Sequence, residues 1–96
     1  GQIYSTSNDI SSKALRESHR QTMDLVKKAL DEVSLELRDV TSATICIDVD
    51  RLPEAKKIIR EFRRNLSRFL EAGKKDAVYN LNIQLHPLSE TFDENH

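Results

Sequence analysis

The chain has 96 residues, of which 38% are hydrophobic and 32% are charged, and its formal net charge is -1. A net charge this close to zero argues against a protein that holds nucleic acid by overall electrostatic attraction. The length fits one small domain, which buries only about 60 to 65% of its extended surface and gains stability from a partner. No apolar run approaches the roughly 18 residues of a membrane span and no charged-then-apolar leader opens the chain, so we expect a cytoplasmic protein with no membrane partner.

The few cysteines and glycines limit which disulfides, cofactor sites and catalytic motifs the chain can contain. Cys46 is the only cysteine, so it forms no internal disulfide, which favours a reducing compartment. With two glycines and none of the common phosphate-binding, zinc-protease or nucleophile motifs, the sequence predicts no enzymatic activity, no cofactor and no metal site. His19 falls inside the apolar stripe of the first predicted helix, where we interpret it as a core histidine rather than a catalytic base or metal ligand.

The first predicted helix follows a flexible tail over residues 1–8. Asn8 or Asp9 is predicted to cap it, because a short side-chain oxygen accepts hydrogen bonds from the free amides of a first turn. Apolar residues then recur three and four positions apart, which is typical of a helix that packs on one face. These residues are Leu15, Thr22, Met23, Val26, Ala29, Leu30 and Val33.

A strand, a helix and a second strand are predicted next. Residues 43–49 alternate in the period of a strand, Asp50 and Pro53 signal a helix start, and Gly73 is predicted to end that helix in a left-handed conformation. The alternation returns before Pro87, and residues 89–96 are expected to form an acidic flexible tail after a single domain over residues 9–88. The helix stripe consists of Leu52, Ala55, Ile58, Ile59, Phe62, Leu66, Phe69 and Leu70.

Two alternating strands in so short a chain predict a partner. A two-stranded sheet is marginal in water, and clean alternation is typical of antiparallel strands with one wet face. We therefore predict an α+β fold of order αβαβ, whose strand-helix-strand unit forms half of a ferredoxin-like, four-stranded antiparallel sheet completed by a homodimer partner. The predicted dimer interface consists of Ala43, Ile45, Ile47 and Val49, and Tyr79, Leu81, Ile83 and Leu85 would face the helices with it.

Polar side chains would occupy the opposite face of this sheet. Alternation alone produces a solvated face, so solvent exposure is the simpler interpretation, and a ligand or partner site is the alternative. The face carries no aromatic residue, which argues against RNA binding by base stacking. The residues concerned are Thr44, Cys46, Asp48, Asn80, Asn82, Gln84 and His86.

Basic side chains recur every four residues along the second predicted helix. Residues 51–68 contain seven basic and two acidic residues, a net charge of +5. A solvated face is the simpler interpretation, and contact with DNA or an acidic protein is the alternative. The recurring residues are Lys56, Arg60, Arg64 and Arg68.

The segments SHRQTMDLVKKAL, LRDVTSATICID, DRLPEAKKIIREFRRNL and VYNLNIQLHPLS together resemble the C-terminal domain of a bacterial family known as a domain of unknown function. The most specific pieces are Arg38-Asp39, Leu52-Pro53, Phe62-Arg63-Arg64 and the run from Leu81 to Leu88. His86 departs from the aromatic or aliphatic residue that family members more often have. The resemblance implies a regulatory context, in which longer members carry a helix-turn-helix module that contacts DNA. We therefore predict a non-enzymatic dimerisation and regulatory domain of a bacterial transcription regulator, with a small-molecule sensor or a basic-helix contact as alternatives.

Overall fold

A computed structural model describes the backbone of residues 3–90 and the side chains of residues 12–90. Helix α1 spans Ile3–Glu32 and helix α2 spans Leu52–Glu71. Short 3₁₀ helices lie at Leu35–Leu37 and Val49–Arg51. The chain divides into two structural units, Gly1–Thr44 and Ile45–His96, and each is described by itself. Most of the predicted acidic tail lies outside the described residues.

The predicted strands are absent from the described part of the chain. Residues 38–48 and 72–90 contain neither helix nor strand, and Val49 begins a 3₁₀ helix instead of ending a strand. The predicted α+β, ferredoxin-like fold is therefore wrong, and so is a sheet seam through Ala43, Ile45 and Ile47. Alternation specifies which side chains share a side, but a strand exists only where its backbone groups pair with a neighbouring strand.

Helix α1 begins at Ile3, so it contains Asn8 and Asp9 and neither residue caps it. At its other end the chain turns into the 3₁₀ helix, and the half-buried Arg38 donates a 2.8 Å hydrogen bond from Nε to the carbonyl of Val33. The last carbonyls of a helix have no partner within it, so a basic side chain there is stabilising. Among the described side chains of α1, the half-buried ones are Thr22, Met23, Val26 and Ala29, and Val33 just after the helix is also half-buried.

Asp48, rather than Asp50, organises the start of α2. Its carboxylate accepts a 3.0 Å hydrogen bond from the amide of Asp50, and its carbonyl accepts one of 3.0 Å from the amide of Arg51. These bonds close the 3₁₀ helix that leads into Leu52, and Pro53 then stands in the first turn, where a missing amide costs little. The predicted cap at Asp50 is wrong: the N-cap residue of α2 is Arg51, whose side chain makes no capping bond, and Asp48 caps the 3₁₀ helix that precedes α2.

The end of α2 also differs from expectation. The amide of Ala72 donates to the carbonyl of Phe69, and Ala72 keeps a right-handed helical conformation. Gly73 does not have the positive φ that we predicted for it. The helix therefore ends by a tightened last turn, without the left-handed residue that a glycine permits.

The described side chains form no buried core. No residue among 12–90 is buried, and large apolar side chains stand exposed on α1, on α2 and in the segments around them. Soluble monomers rarely leave extended apolar surface open, because covering such surface is the main source of folding free energy. The uncovered apolar surface of α2 is therefore the first candidate for a functional surface.

Candidate functional site

Helix α2 carries a continuous apolar seam along one face. Its residues are spaced alternately three and four positions apart, which gives a mean repeat of about 3.5 residues, the repeat that lets two helices stay in contact along their length. Phe62 is 54% exposed and Phe69 is 76% exposed, whereas the other seam residues are half-buried. We define the seam as Leu52, Ala55, Ile59, Phe62, Leu66 and Phe69.

Two further apolar side chains widen the seam. Ile58 and Leu70 lie one on each side of it, and both are exposed. A seam broadened in this way can pack against more than a single narrow ridge of a partner. The alternating spacing is present in the sequence, which predicts that these residues pack but does not identify what covers them.

An apolar cleft of about 280 Å³ lies at the N-terminal end of α2. Leu52 and Ala55 of the seam belong to its wall, together with side chains that precede and follow the helix in the chain. Ile45 and Ile47, predicted to line a sheet seam between two copies, line this cleft instead. The other lining residues are Asp48, Arg51 and Leu85.

The two ends of the seam therefore differ. At the N-terminal end the chain brings its own apolar side chains, Ile47 and Leu85, beside Leu52. At the C-terminal end Phe62 and Phe69 remain more than half exposed. The open end is where a partner would bury the most additional surface, since an aromatic side chain buries about 150 to 250 Å².

The opposite side of α2 carries a basic stripe, which we define as Lys56, Arg60, Arg64 and Arg68. All four are exposed, and none of them forms an ion pair with another described residue. Their spacing of four places like charges on adjacent turns, where each neighbouring pair is destabilising by about 0.2 to 0.5 kcal/mol. Over the helix as observed, Leu52–Glu71, six basic and three acidic residues give a net charge of +3.

Helix α1, unlike the basic stripe, contains ion pairs between its own side chains. Arg20 pairs with Glu17 at 3.2 Å, Lys27 with Asp24 at 4.0 Å, and Lys28 with Glu32 at 3.9 Å. Exposed pairs of this kind contribute little stability individually. Three of the five basic residues among the described side chains of α1 thus form an ion pair within their own helix, whereas no residue of the basic stripe does.

Replacing Arg60 by Glu should stabilise α2. The change turns two repulsive neighbours, Lys56 and Arg64, into attractive ones, and we expect a gain of about 1 kcal/mol in the free energy of unfolding. Urea denaturation measures it, and Arg60→Gln, which removes the charge without reversing it, should give about half the gain. A loss of stability in Arg60→Glu would mean that Arg60 already has a favourable partner.

The predicted polar row does not share a sheet face, because no sheet forms in the described residues. Asp48 caps the turn before α2, and His86 Nδ1 lies 3.2 Å from the carbonyl oxygen of Pro87. Asn82 is half-buried and Cys46 is exposed. A ligand site through these residues remains a prediction, but it no longer has a common face to support it. The remaining members, Thr44, Asn80 and Gln84, are exposed.

Three further features of the described residues concern His19, metal binding and membrane spans. His19 is exposed on α1, so it is not a core histidine. Among the residues that the structure describes, no three His, Cys, Asp or Glu side chains are placed to hold a metal ion. Within the same residues, neither helix is long and apolar enough to cross a membrane.

These features define a helical domain with one amphipathic helix whose apolar and basic faces are both open. The chain belongs to the family described as Domain of unknown function (DUF4423), whose model matches residues 2–88. The predicted membership of a family of unknown function is thereby confirmed. No curated protein and no solved structure matches the chain.

Proposed function

We propose that this domain is a non-enzymatic self-association module, in which the seams of α2 from two copies pack against each other. The observation that carries the proposal is the seam itself, which keeps an alternating spacing of three and four from Leu52 to Phe69 while no described side chain is buried. Such a repeat matches that of a second helix, and an isolated chain leaves it in water. Covering it would give the domain the core that its described residues lack.

A second copy is the partner that the seam fits most directly. A seam of one repeat length complements another of the same repeat length, so two identical seams can meet about a two-fold axis. Stable interfaces remove about 1,200 to 2,000 Å² from water in total. The open parts of Phe62 and Phe69 in both copies supply on the order of 500 Å² of this. Ile58, Leu70 and the half-buried seam residues would add to it.

The charges of α2 do not oppose this arrangement. Arg60, Arg64 and Arg68 lie on the side of the helix away from the seam, so two copies can pair without bringing these arginines together. Lys56 lies at the edge of the seam. The polar face then stays in water, where repulsion between like charges is screened over about 10 Å at ordinary salt. Pairing through the seam therefore buries apolar surface and leaves the stripe available.

The regulatory role that the sequence resemblance implies is included in the proposal. A module that pairs two copies fixes the spacing between any DNA-binding modules attached to them, which is how dimeric regulators select paired half-sites. Contact with DNA would come from a separate helix-turn-helix domain. This part rests on the resemblance and on pairing, so it fails if the copies do not pair.

The mass of the particle in solution tests the proposal. Sedimentation or multi-angle light scattering at tens of micromolar should give twice the mass of one 11.0 kDa chain. A particle of one chain across that range would overturn both self-association and the regulatory role built on it. A larger particle of defined mass would mean that more than two copies associate, with the seam still as their interface.

A further inference from the structure

We propose that the polar face of α2 docks an acidic helical segment of a partner protein. The face carries the basic stripe together with Lys57, and no ion pair within the described residues involves any of these five side chains. The proposal goes beyond self-association, because it concerns the face opposite the seam. Both faces can be occupied at the same time.

The stripe differs from the C-terminal half of α1 in having no ion pair among the described residues. On α1, Arg20, Lys27 and Lys28 each lie beside a carboxylate of the same helix. On α2 the sequence places like charges on successive turns, an arrangement that destabilises an isolated helix. An acidic partner would neutralise these charges on binding. Binding would therefore also stabilise α2.

The geometry of the stripe suits a second helix. Four residues of helix rise about 6 Å, so Lys56 to Arg68 form a row of four positive charges about 18 Å long. A helix with a carboxylate at every fourth position presents negative charges at the same interval. Three of the four basic residues are arginines, whose planar guanidinium binds a carboxylate through two parallel hydrogen bonds.

A protein segment fits this face better than duplex nucleic acid does. Glu61 lies one helical turn from both Lys57 and Arg64, and Glu71 lies one turn from Arg68. A duplex carries one negative charge per roughly 1.7 Å of its axis, so phosphates running along the stripe would also meet these carboxylates. The discrete charges of a protein can avoid them. The aromatic side chains of α2, Phe62 and Phe69, belong to the seam, so the polar face offers no ring for base stacking.

Binding of a designed acidic peptide tests the proposal. The probe is a labelled alanine-rich helical peptide with Glu at every fourth position, and the reference peptide carries Gln at those positions. Fluorescence anisotropy at low salt should show binding of the Glu peptide by the wild-type domain and little binding of the Gln peptide. Added salt should weaken the binding, because exposed charge pairs are screened.

Matched charge reversals locate the contact. The double variant Arg60→Glu and Arg64→Glu should lower affinity for the Glu peptide by at least about tenfold, a difference of about 1.4 kcal/mol. Lys13→Glu with Arg16→Glu makes the same change in net charge on exposed positions of α1 and should leave affinity nearly unchanged. If the first variant loses helix by circular dichroism, Arg60→Gln with Arg64→Gln replaces it and should also weaken binding.

Three results would overturn the proposal. The first is equal binding of the Glu and Gln peptides, or no binding of either. The second is an equal loss of affinity in the α1 variant, which would show a response to overall charge alone. The third is tighter binding of a short DNA duplex than of the Glu peptide with a steep dependence on salt, which would assign the stripe to phosphate contact.

Discussion

Replacing Phe62 by Lys should convert the paired domain into single chains. The change removes an aromatic side chain from the centre of the seam, at a cost of about 3 to 5 kcal/mol when such a residue is buried. It also places an ammonium group where the partner seam would have to desolvate it, which costs several kcal/mol more unless it is paired. Since micromolar association amounts to only about 8 kcal/mol, light scattering at tens of micromolar should report the mass of one chain.

The control for this variant is Ser67→Lys. It adds the same charge to the same helix, but at a position outside the seam, where the Ser67 hydroxyl donates a hydrogen bond to the carbonyl of Arg63. This variant should keep the mass of the pair. A Phe62→Lys protein that remains paired would show that the copies meet through another surface, and the seam would lose its assigned role.

The second large effect concerns stability as a function of protein concentration. Because residues 12–90 contain no buried side chain, most of the apolar burial that stabilises α2 should come from the partner copy. Folding is then coupled to association, and the apparent stability rises as the protein is concentrated. A tenfold increase in concentration should add about 1.4 kcal/mol per pair, which shifts the urea midpoint by roughly 0.5 to 1 M for a protein of this size.

Circular dichroism at a series of concentrations measures this shift. The helical signal of the wild-type domain should weaken on dilution, whereas Phe62→Lys should show low helicity that does not change with concentration. A wild-type midpoint that is independent of concentration would mean that the chain buries enough apolar surface by itself. Self-association would then add to a fold that is already stable.

The sequence predicted the helices well because a helix satisfies its own backbone. In α2 the periodic stripe and Pro53 locate the helix to within a few residues of its observed start at Leu52. The wrong cap at Asp50 has a local cause. Asp48 and Asp50 are equally suitable by residue type, and the choice between them depends on where the preceding 3₁₀ helix begins.

The predicted strands failed for the complementary reason. Ile45, Ile47, Ile83 and Leu85 alternate as they would in a sheet, but the pattern does not specify which backbone, if any, lies beside them. The structure instead brings Ile45, Ile47 and Leu85 to the cleft at α2 without strand pairing. The pattern predicted these residues in a sheet that does not form in the described part of the chain. It could not provide the backbone hydrogen bonds that a strand requires.

The sequence predicts which residues form the candidate site, but not which of them stay exposed or unpaired. The basic stripe is evident from its spacing. Only the side-chain distances show that no acidic residue between 12 and 90 forms an ion pair with Arg60 or Arg64. The seam residues were likewise assigned to a packed face. Only the structure shows that Phe62 and Phe69 are more than half exposed, whereas Leu52 at the other end of α2 lies beside Ile47 and Leu85.

The exposed thiol of Cys46 can be labelled selectively with a spectroscopic probe. It is the only thiol in the sequence, and its chain neighbours Ile45 and Ile47 line the apolar cleft. A maleimide-linked fluorophore or nitroxide would attach at one place without any mutation. Energy transfer or dipolar coupling between two such labels would then reveal how near the clefts of neighbouring molecules come to each other.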